Sequence, residues 1–248
     1  MTGFLVALQF LTRIPSPIRR PIADEELGPS ARWFPLVGAV IGGLVGLLDT
    51  LIAPVATPEL RAMVAVIALA VLTGALHLDG LMDSCDGLFA VTSPEHRLAI
   101  MHDSRVGSFA VVGAATVLLL KYSAFLALPT DQRLPAFVSL GAVSRWAMVL
   151  AAARYPSARP SGLAHMMRSS MTGRELPIAT ALAVSLSLSA GVPGLAGVVV
   201  AGVVTLLAAR YTLTKIPGLT GDVYGAICEF VEVAVAVVLP LLWRLATR

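Results

Sequence analysis

Long apolar runs separated by short polar intervals dominate the chain. The first, Phe4 to Leu11, is too short to cross a bilayer, which takes roughly 20 apolar residues, and it stops at Arg13 and the Pro15/Pro17 pair. It reads as an interfacial or re-entrant segment. It has neither the basic start nor the length of a signal peptide, so it is expected to stay in the mature chain. After the polar stretch Arg19 to Arg32, spans are predicted at 34–52, 62–77, 107–128, 134–153, 177–192, 195–209 and 227–245. Only Pro193-Gly194 separates the fifth from the sixth. The pattern predicts an all-α, polytopic membrane bundle of about seven transmembrane helices plus the N-terminal segment, in one domain over residues 1–248. Gly38, Gly42, Gly43 and Gly46 in the first span suit close packing between membrane helices.

Composition agrees. Of 248 residues, 57% are hydrophobic and 13% charged, with mean hydropathy +0.84. Soluble domains carry about 25% charged residues, so an ordinary soluble protein and a disordered chain are both excluded. Two cysteines, Cys85 and Cys228, define no disulfide framework. The cations are nearly all Arg, a residue suited to bidentate phosphate contacts, although GC-rich coding produces the same bias.

Placing the charges orients the chain. With seven crossings, the N-terminal side receives Arg13, Arg19, Arg20, Arg32, Arg97, Arg105, Arg154, Arg159, Arg168, Arg174, Arg210 and Lys215. The other side receives Arg61, Arg133, Arg244 and Arg248. The N-terminal side is therefore expected to face the cytoplasm. The acidic clusters follow the second and sixth spans, an even number of crossings apart, so they emerge together on that side.

The first cluster is His77-Leu78-Asp79-Gly80-Leu81-Met82-Asp83-Ser84-Cys85-Asp86-Gly87. Asp79, Asp83 and Asp86 stand at i, i+4 and i+7 and share one helical face. Hard oxygen ligands at that spacing suit Mg²⁺, which leaves coordination positions for phosphate oxygens. The plain structural alternative is a solvated loop whose Asp residues cap the next helix. The second cluster, Gly218 to Glu229, carries Asp222 and Glu229 on one face, with Glu232 a turn later. Capping by Thr220 or Asp222 would explain the loop but not two acids inside an apolar span, where burial is costly. The third, His102-Asp103-Ser104-Arg105-Val106-Gly107, offers Arg105 to a phosphate and Asp103 to Arg105 or a metal.

Within the spans, Lys121 is expected to snorkel or pair with a carboxylate. Arg145 sits mid-segment, which favours a ligand or ion-pair role, and Asp49 is expected at the interface. His96 and His165 have no partner at metal spacing, and only His77 adjoins an acidic cluster. Catalysis by either Cys is disfavoured. Met166, Met167, Arg168 and Arg174 lie in a long loop placed to close over a substrate or to lie on anionic headgroups.

Together these stretches resemble the cobalamin synthase, or adenosylcobinamide-GDP ribazoletransferase, family. The resemblance runs through Leu8 to Pro15, Arg32 to Gly38, His77 to Gly87, Met101 to Gly107, Ser144-Arg145 and Gly218 to Glu229, in order along nearly the whole chain. It implies a multi-pass enzyme of the bacterial inner membrane with its active site facing the cytoplasm. Such an enzyme joins adenosylcobinamide-GDP to α-ribazole or α-ribazole 5′-phosphate, releasing GMP, with Mg²⁺ as cofactor. On that reading Asp79, Asp83, Asp86 and Asp222 hold the metal. Arg105 and Arg145, with His77 and Asp103, serve substrate and phosphate, and Asp83 or Glu229 takes the hydroxyl proton. The expected partners are these small molecules and the lipid bilayer, with no nucleic acid, and a homo-oligomer is compatible. A phosphotransferase joining a CDP-activated group to a lipid alcohol is the chemical rival; motif order and the Gly218 to Glu229 loop oppose it. A cation- or proton-coupled transporter is the other, but it would more often show inverted repeats and a midplane site.

Overall fold

The computed structural model describes residues 2–246, without the side chain of Ala246; Arg248, one of the charges used for orientation, lies outside the described residues. Twelve helices account for nearly all of the described secondary structure. They are α1 (Thr2–Leu11), α2 (Asp24–Ser30), α3 (Phe34–Ile52), α4 (Pro58–Thr73), α5 (Leu76–Phe89), α6 (Pro94–Ile100), α7 (Ser108–Leu126), α8 (Arg133–Arg154), α9 (Leu163–Ser169), α10 (Glu175–Ser187), α11 (Gly191–Leu213) and α12 (Gly221–Ala246). The described residues contain one isolated parallel bridge, Ser157 to Leu219, and no longer strand.

α8 forms the axis of the bundle and is buried on nearly every side by α3, α10, α11 and α12. α3 lies against it so closely that a Cβ on Gly38 would come within 1.9 Å of the Gly141 carbonyl oxygen. One on Gly42 would come as near to that of Phe137, and one on Gly46 would meet Leu134. Gly38, Gly42 and Gly46 therefore form the predicted close-packing stripe, whereas Gly43 has only a Val138 methyl at 3.9 Å. Large apolar side chains such as Leu51, Ile67, Val111, Leu119, Val199 and Leu207 point outward. On a soluble protein such a surface would aggregate; around a membrane bundle it meets lipid.

Five helical stretches are long and apolar enough to cross a membrane, and the bent pair α4/α5 makes a sixth. One of the five, Glu175–Leu213, turns back on itself at Gly191, whose φ of 65° only glycine adopts readily. The indole N–H of Trp146 donates to the Thr180 hydroxyl of α10 at 2.9 Å, and the same ring lies 3.6 Å from a Cβ placed on Gly202 of α11. One side chain touches the middle of both helices, so they are antiparallel arms. By length and composition five or six spans qualify, against the seven expected from hydropathy, because α10, with 13 residues, is too short to count separately.

The N-terminal segment is the short helix α1, about 15 Å long at 1.5 Å per residue. Its end is tied to the bundle by the Arg13 N–H, which donates to the Leu72 carbonyl at 2.8 Å. The polar stretch after it contains α2, whose acidic first turn suits a helix start. Glu26 accepts from the Ala23 N–H and forms a two-pronged pair with Arg20.

Two features depart from the hydropathy pattern. The predicted span 62–77 is broken: α4 ends at Gly74 and Ala75, both in the left-handed region, and α5 leaves at 90°. Asp49 is not interfacial but buried at the far end of the bundle. It accepts from Arg61 at 2.5 Å and from Arg133 at 2.8 Å, while Arg133 also donates to the Phe125 carbonyl. Lys121 takes the second of its two expected courses, pairing with buried carboxylates deep in the bundle rather than snorkelling.

Candidate active site

α5 is amphipathic in an unusual sense: apolar and small on one side, acidic on the other. His77, Gly80, Leu81, Ser84 and Leu88 are buried. Gly80 lets α5 approach the start of α12 so closely that a Cβ there would lie 2.8 Å from the Asp222 carbonyl oxygen. A Cβ on Gly225 would in turn lie 3.1 Å from that of His77. Docking this face turns Asp79, Asp83 and Asp86 toward a cleft of about 360 Å³ at the end of the bundle that carries the N-terminus. Asp222 enters the same cleft from α12, Asp103 and Arg105 from the loop before α7, and Arg159 from the loop after α8. The two acidic clusters, whose Asp86 and Asp222 stand 136 positions apart along the chain, meet at it.

The aspartates are not equivalent. Asp86 Oδ2 accepts from the Gly107 N–H at 2.7 Å and Oδ1 from the Ala110 N–H at 2.8 Å. It therefore caps α7 from a different helix, satisfying donors that a helix start leaves unpaired. The capping alternative considered for this stretch thus holds for Asp86, although from inside a helix rather than from a loop. α12 begins with the Thr220 hydroxyl accepting from the Val223 N–H at 3.3 Å. Capping there falls to Thr220, and Asp222 lines the cleft.

Asp103 holds Arg105, accepting from its Nη2 at 2.6 Å and its Nε at 3.1 Å. The hydrogen bonds from the Arg105 side chain and then its backbone N–H draw the Asp103 carboxyl down to about 2. The pair is thus ionised at every ordinary pH, and the guanidinium stays exposed at the cleft rim.

Three predicted site residues lie elsewhere. Glu229, Arg145 and His77 do not line the cleft. Lys121 Nζ donates to Glu229 at 2.6 Å and to Glu232 at 2.5 Å, and Arg145 Nη1 pairs with Glu232 and the Ser144 hydroxyl. His77 is buried nearby, with Nε2 unpartnered. Two cations and two carboxylates thus join α7, α8 and α12 beneath the cleft. A coupled transporter needs carboxylates free to take up its cation; both here are already paired. Cys85 packs against Gly113 and Cys228 is buried; both are free thiols.

Arg159, which the sequence reading used only for orientation, is part of the cleft. Its Nη2 donates to the Leu98 carbonyl at 2.6 Å, and the Ser157 hydroxyl donates to the Arg159 carbonyl at 2.8 Å. The loop is pinned further where Ala158 donates to Leu219 and Leu219 to Pro156. Gly218 permits this approach, since a Cβ there would lie 2.5 Å from the Ser157 backbone. The available signal was an Arg-Pro pair just past the end of a span.

Among the described residues no three His, Cys, Asp or Glu side chains converge tightly enough to hold a metal ion alone. The donor set is nevertheless the kind Mg²⁺ uses: hard carboxylate oxygens along one wall, facing open space, with other coordination left to water and phosphate.

Fold and site together define a polytopic helical membrane protein with an aspartate-lined cleft at one end of its bundle. The family model described as cobalamin-5-phosphate synthase matches residues 3–240, and the chain belongs to that family. It is 39% identical over 236 residues to an adenosylcobinamide-GDP ribazoletransferase of Roseiflexus sp. (strain RS-1), covering 95% of this chain and 88% of the relative. A protein of the same description from Geotalea daltonii is 38% identical, with 93% of each chain covered. One from Stutzerimonas stutzeri is also 38% identical, with 97% and 98% covered. No solved structure matches the chain.

Proposed function

We propose that this chain joins adenosylcobinamide-GDP to α-ribazole or α-ribazole 5′-phosphate, forming adenosylcobalamin or its 5′-phosphate and releasing GMP, at the aspartate-lined cleft and with Mg²⁺ as cofactor. The observation that carries this reading is the meeting of Asp79, Asp83 and Asp222 with Arg105 and Arg159 around one cleft, in a chain whose relatives bear that enzyme name. In the reaction a ribose hydroxyl of the acceptor attacks the pyrophosphate phosphorus that stays with the corrinoid. The new O–P bond forms as the P–O bond to GMP breaks. Transfers of this type depend on positioning and on neutralising phosphate charge.

Asp79, Asp83 and Asp222 would hold the metal, with Asp86 contributing only through lone pairs left over from its cap on α7. Bound there, Mg²⁺ supplies charge neutralisation on the pyrophosphate oxygens. Arg105 and Arg159, which both line the cleft, bind phosphate. Asp83, in the middle of the acidic face, accepts the hydroxyl proton through an oxygen not taken up by the metal. Glu229 is less suited to that task because it is buried and paired with Lys121. The excess of Arg at the cleft end supports a cytoplasmic site in a bacterial inner membrane.

The test is GMP release by the purified full-length chain in lipid, supplied with adenosylcobinamide-GDP and each acceptor in turn. GMP should appear in step with the corrinoid product, stop on chelation and resume when Mg²⁺ is restored. Absence of product with both acceptors would overturn the reading.

A further inference from the structure

One helix, α12, carries Asp222 at the cleft and, about two turns deeper, Glu229, with Glu232 one turn further. At 100° and 1.5 Å per residue, Asp222 and Glu229 differ by about 20° around the helix and about 10 Å along it. Both glutamates are tied to neighbouring helices. Lys121 of α7 bridges them, at 2.6 Å and 2.5 Å, and Arg145 of α8 also pairs with Glu232. All four side chains are more than nine-tenths buried. The contact between α5 and α12 offers no such hold. Gly80 and Gly225 bring those helices together without a side chain at the point of closest approach, and apolar packing is non-directional. Buried ionic contacts do fix the rotation of a helix about its axis, because a displaced charge loses its partner where nothing else can satisfy it.

From this we infer that Lys121, Arg145, Glu229 and Glu232 are positioning residues of the cleft: by fixing the rotation of α12 they set Asp222, and through the Gly80 contact Asp79 and Asp83 of α5, at the separation a divalent cation requires. The inference rests on the proposed function, which puts Mg²⁺ among those aspartates. A turn of about 20° sweeps a side-chain tip about 5–6 Å from the helix axis through about 2 Å. Mg²⁺ holds its oxygens at about 2.0–2.1 Å in near-ideal octahedral geometry, so such a turn takes Asp222 out of the site. The far-end cluster of Asp49 with Arg61 and Arg133 is a natural comparison. It too is buried and sets one carboxylate between two cations, but it joins α3, α4 and α8.

Mn²⁺ takes the same hard oxygen ligands as Mg²⁺ and reports its binding by electron paramagnetic resonance, without substrate or turnover. In the full-length chain in nanodiscs, Glu232→Gln and the charge-keeping Glu232→Asp should each weaken Mn²⁺ binding about tenfold or more, the order seen when groups that orient metal ligands are changed. Asp49→Asn should lower the melting temperature yet bind Mn²⁺ as the wild type does. In GMP release, Glu232→Asp should raise the half-saturating Mg²⁺ concentration by a similar factor and regain most of its kcat at saturating metal. A loss of folded protein alone would lower kcat and leave that half-saturation unchanged. Wild-type Mn²⁺ affinity in Glu232→Asp, or equal weakening in Asp49→Asn, would overturn the inference and leave the cleft as a metal site. No Mn²⁺ binding by the wild-type chain would overturn the proposed metal site and the inference with it.

Discussion

At the residue scale, Lys121 balances two carboxylates that would otherwise be buried unpaired, and its loss should be costly. Lys121→Met is expected to destabilise the chain by about 3–5 kcal/mol, the usual cost of removing one partner from a buried ion pair. Glu229→Gln, which leaves Glu232 with both cations, should cost clearly less; thermal unfolding in detergent compares the two. In the cleft, Asp83→Asn should lower GMP release by about 10²-fold or more with little change in melting temperature, as for a lost proton acceptor. Asp86→Asn should also cost stability, about 1 kcal/mol, because an amide can accept only one of the two N–H groups at the start of α7. Melting curves that place the two variants together would contradict the division of labour between them. The Asp103 carboxyl, drawn down to about 2 by Arg105, gives a contribution that is present above the usual carboxylate range and lost only as pH falls toward 2. Carbon-13 NMR of the labelled carboxyl should therefore show little titration between about pH 3 and 5, the window in which Arg105→Gln should titrate with ordinary carboxylate acidity.

The acidic face of α5 was legible because i, i+4 and i+7 spacing is local. The pairing of Glu229 was not: its partner Lys121 is 108 residues away, and an acid in an apolar span looks alike whether it serves chemistry or an ion pair. Arg159 was obscured for a related reason, since a loop arginine shows no periodicity and only the bridge from Ser157 to Leu219 brings it beside Asp222.

At the scale of elements, α3 and α8 are joined by backbone contact rather than by side chains. Gly42→Val adds atoms where a Cβ alone would lie 1.9 Å from a carbonyl oxygen, so the helices must separate. Overpacking typically costs about 1–3 kcal/mol, and a backbone obstacle puts this site at the upper end. Gly43→Val, one residue on, where a Cβ meets only a Val138 methyl at 3.9 Å, should be near neutral, and folded yield by size-exclusion chromatography compares the pair. The helices themselves were readable from apolar runs, because length and hydropathy are what a bilayer selects. The break at Gly74 was not, since the apolar run passes through it. What distinguishes it is the Arg13 side chain resting on Gly74, a contact from another part of the chain.

For the whole molecule, the cleft and the loops before α3, after α8 and after α11 share one end. The far-end arginines Arg61 and Arg133 share the single carboxylate of Asp49, which cancels one of their two charges and sharpens the charge asymmetry already visible in the sequence. In cells, Ser104→Cys should react with a membrane-impermeant maleimide only after the membrane is opened, and Val55→Cys, at the exposed opposite end, should react at once. The reverse labelling would invert the proposed orientation.

The bent pair α4/α5 also bears on biogenesis. α5 brings three aspartates and His77 to a helix that starts level with Lys121 and Glu232, where the bend opens onto a small cavity shared with both. An aspartate left alone at the centre of a membrane helix costs about 2.5–3.5 kcal/mol on insertion scales, so this segment gains little by partitioning independently. Its docking surfaces are the glycines of α12 and the start of α7, both synthesised later. α5 is therefore expected to reach its final place only once α7 and α12 have been made, and a truncated nascent chain would carry the aspartates without a cleft.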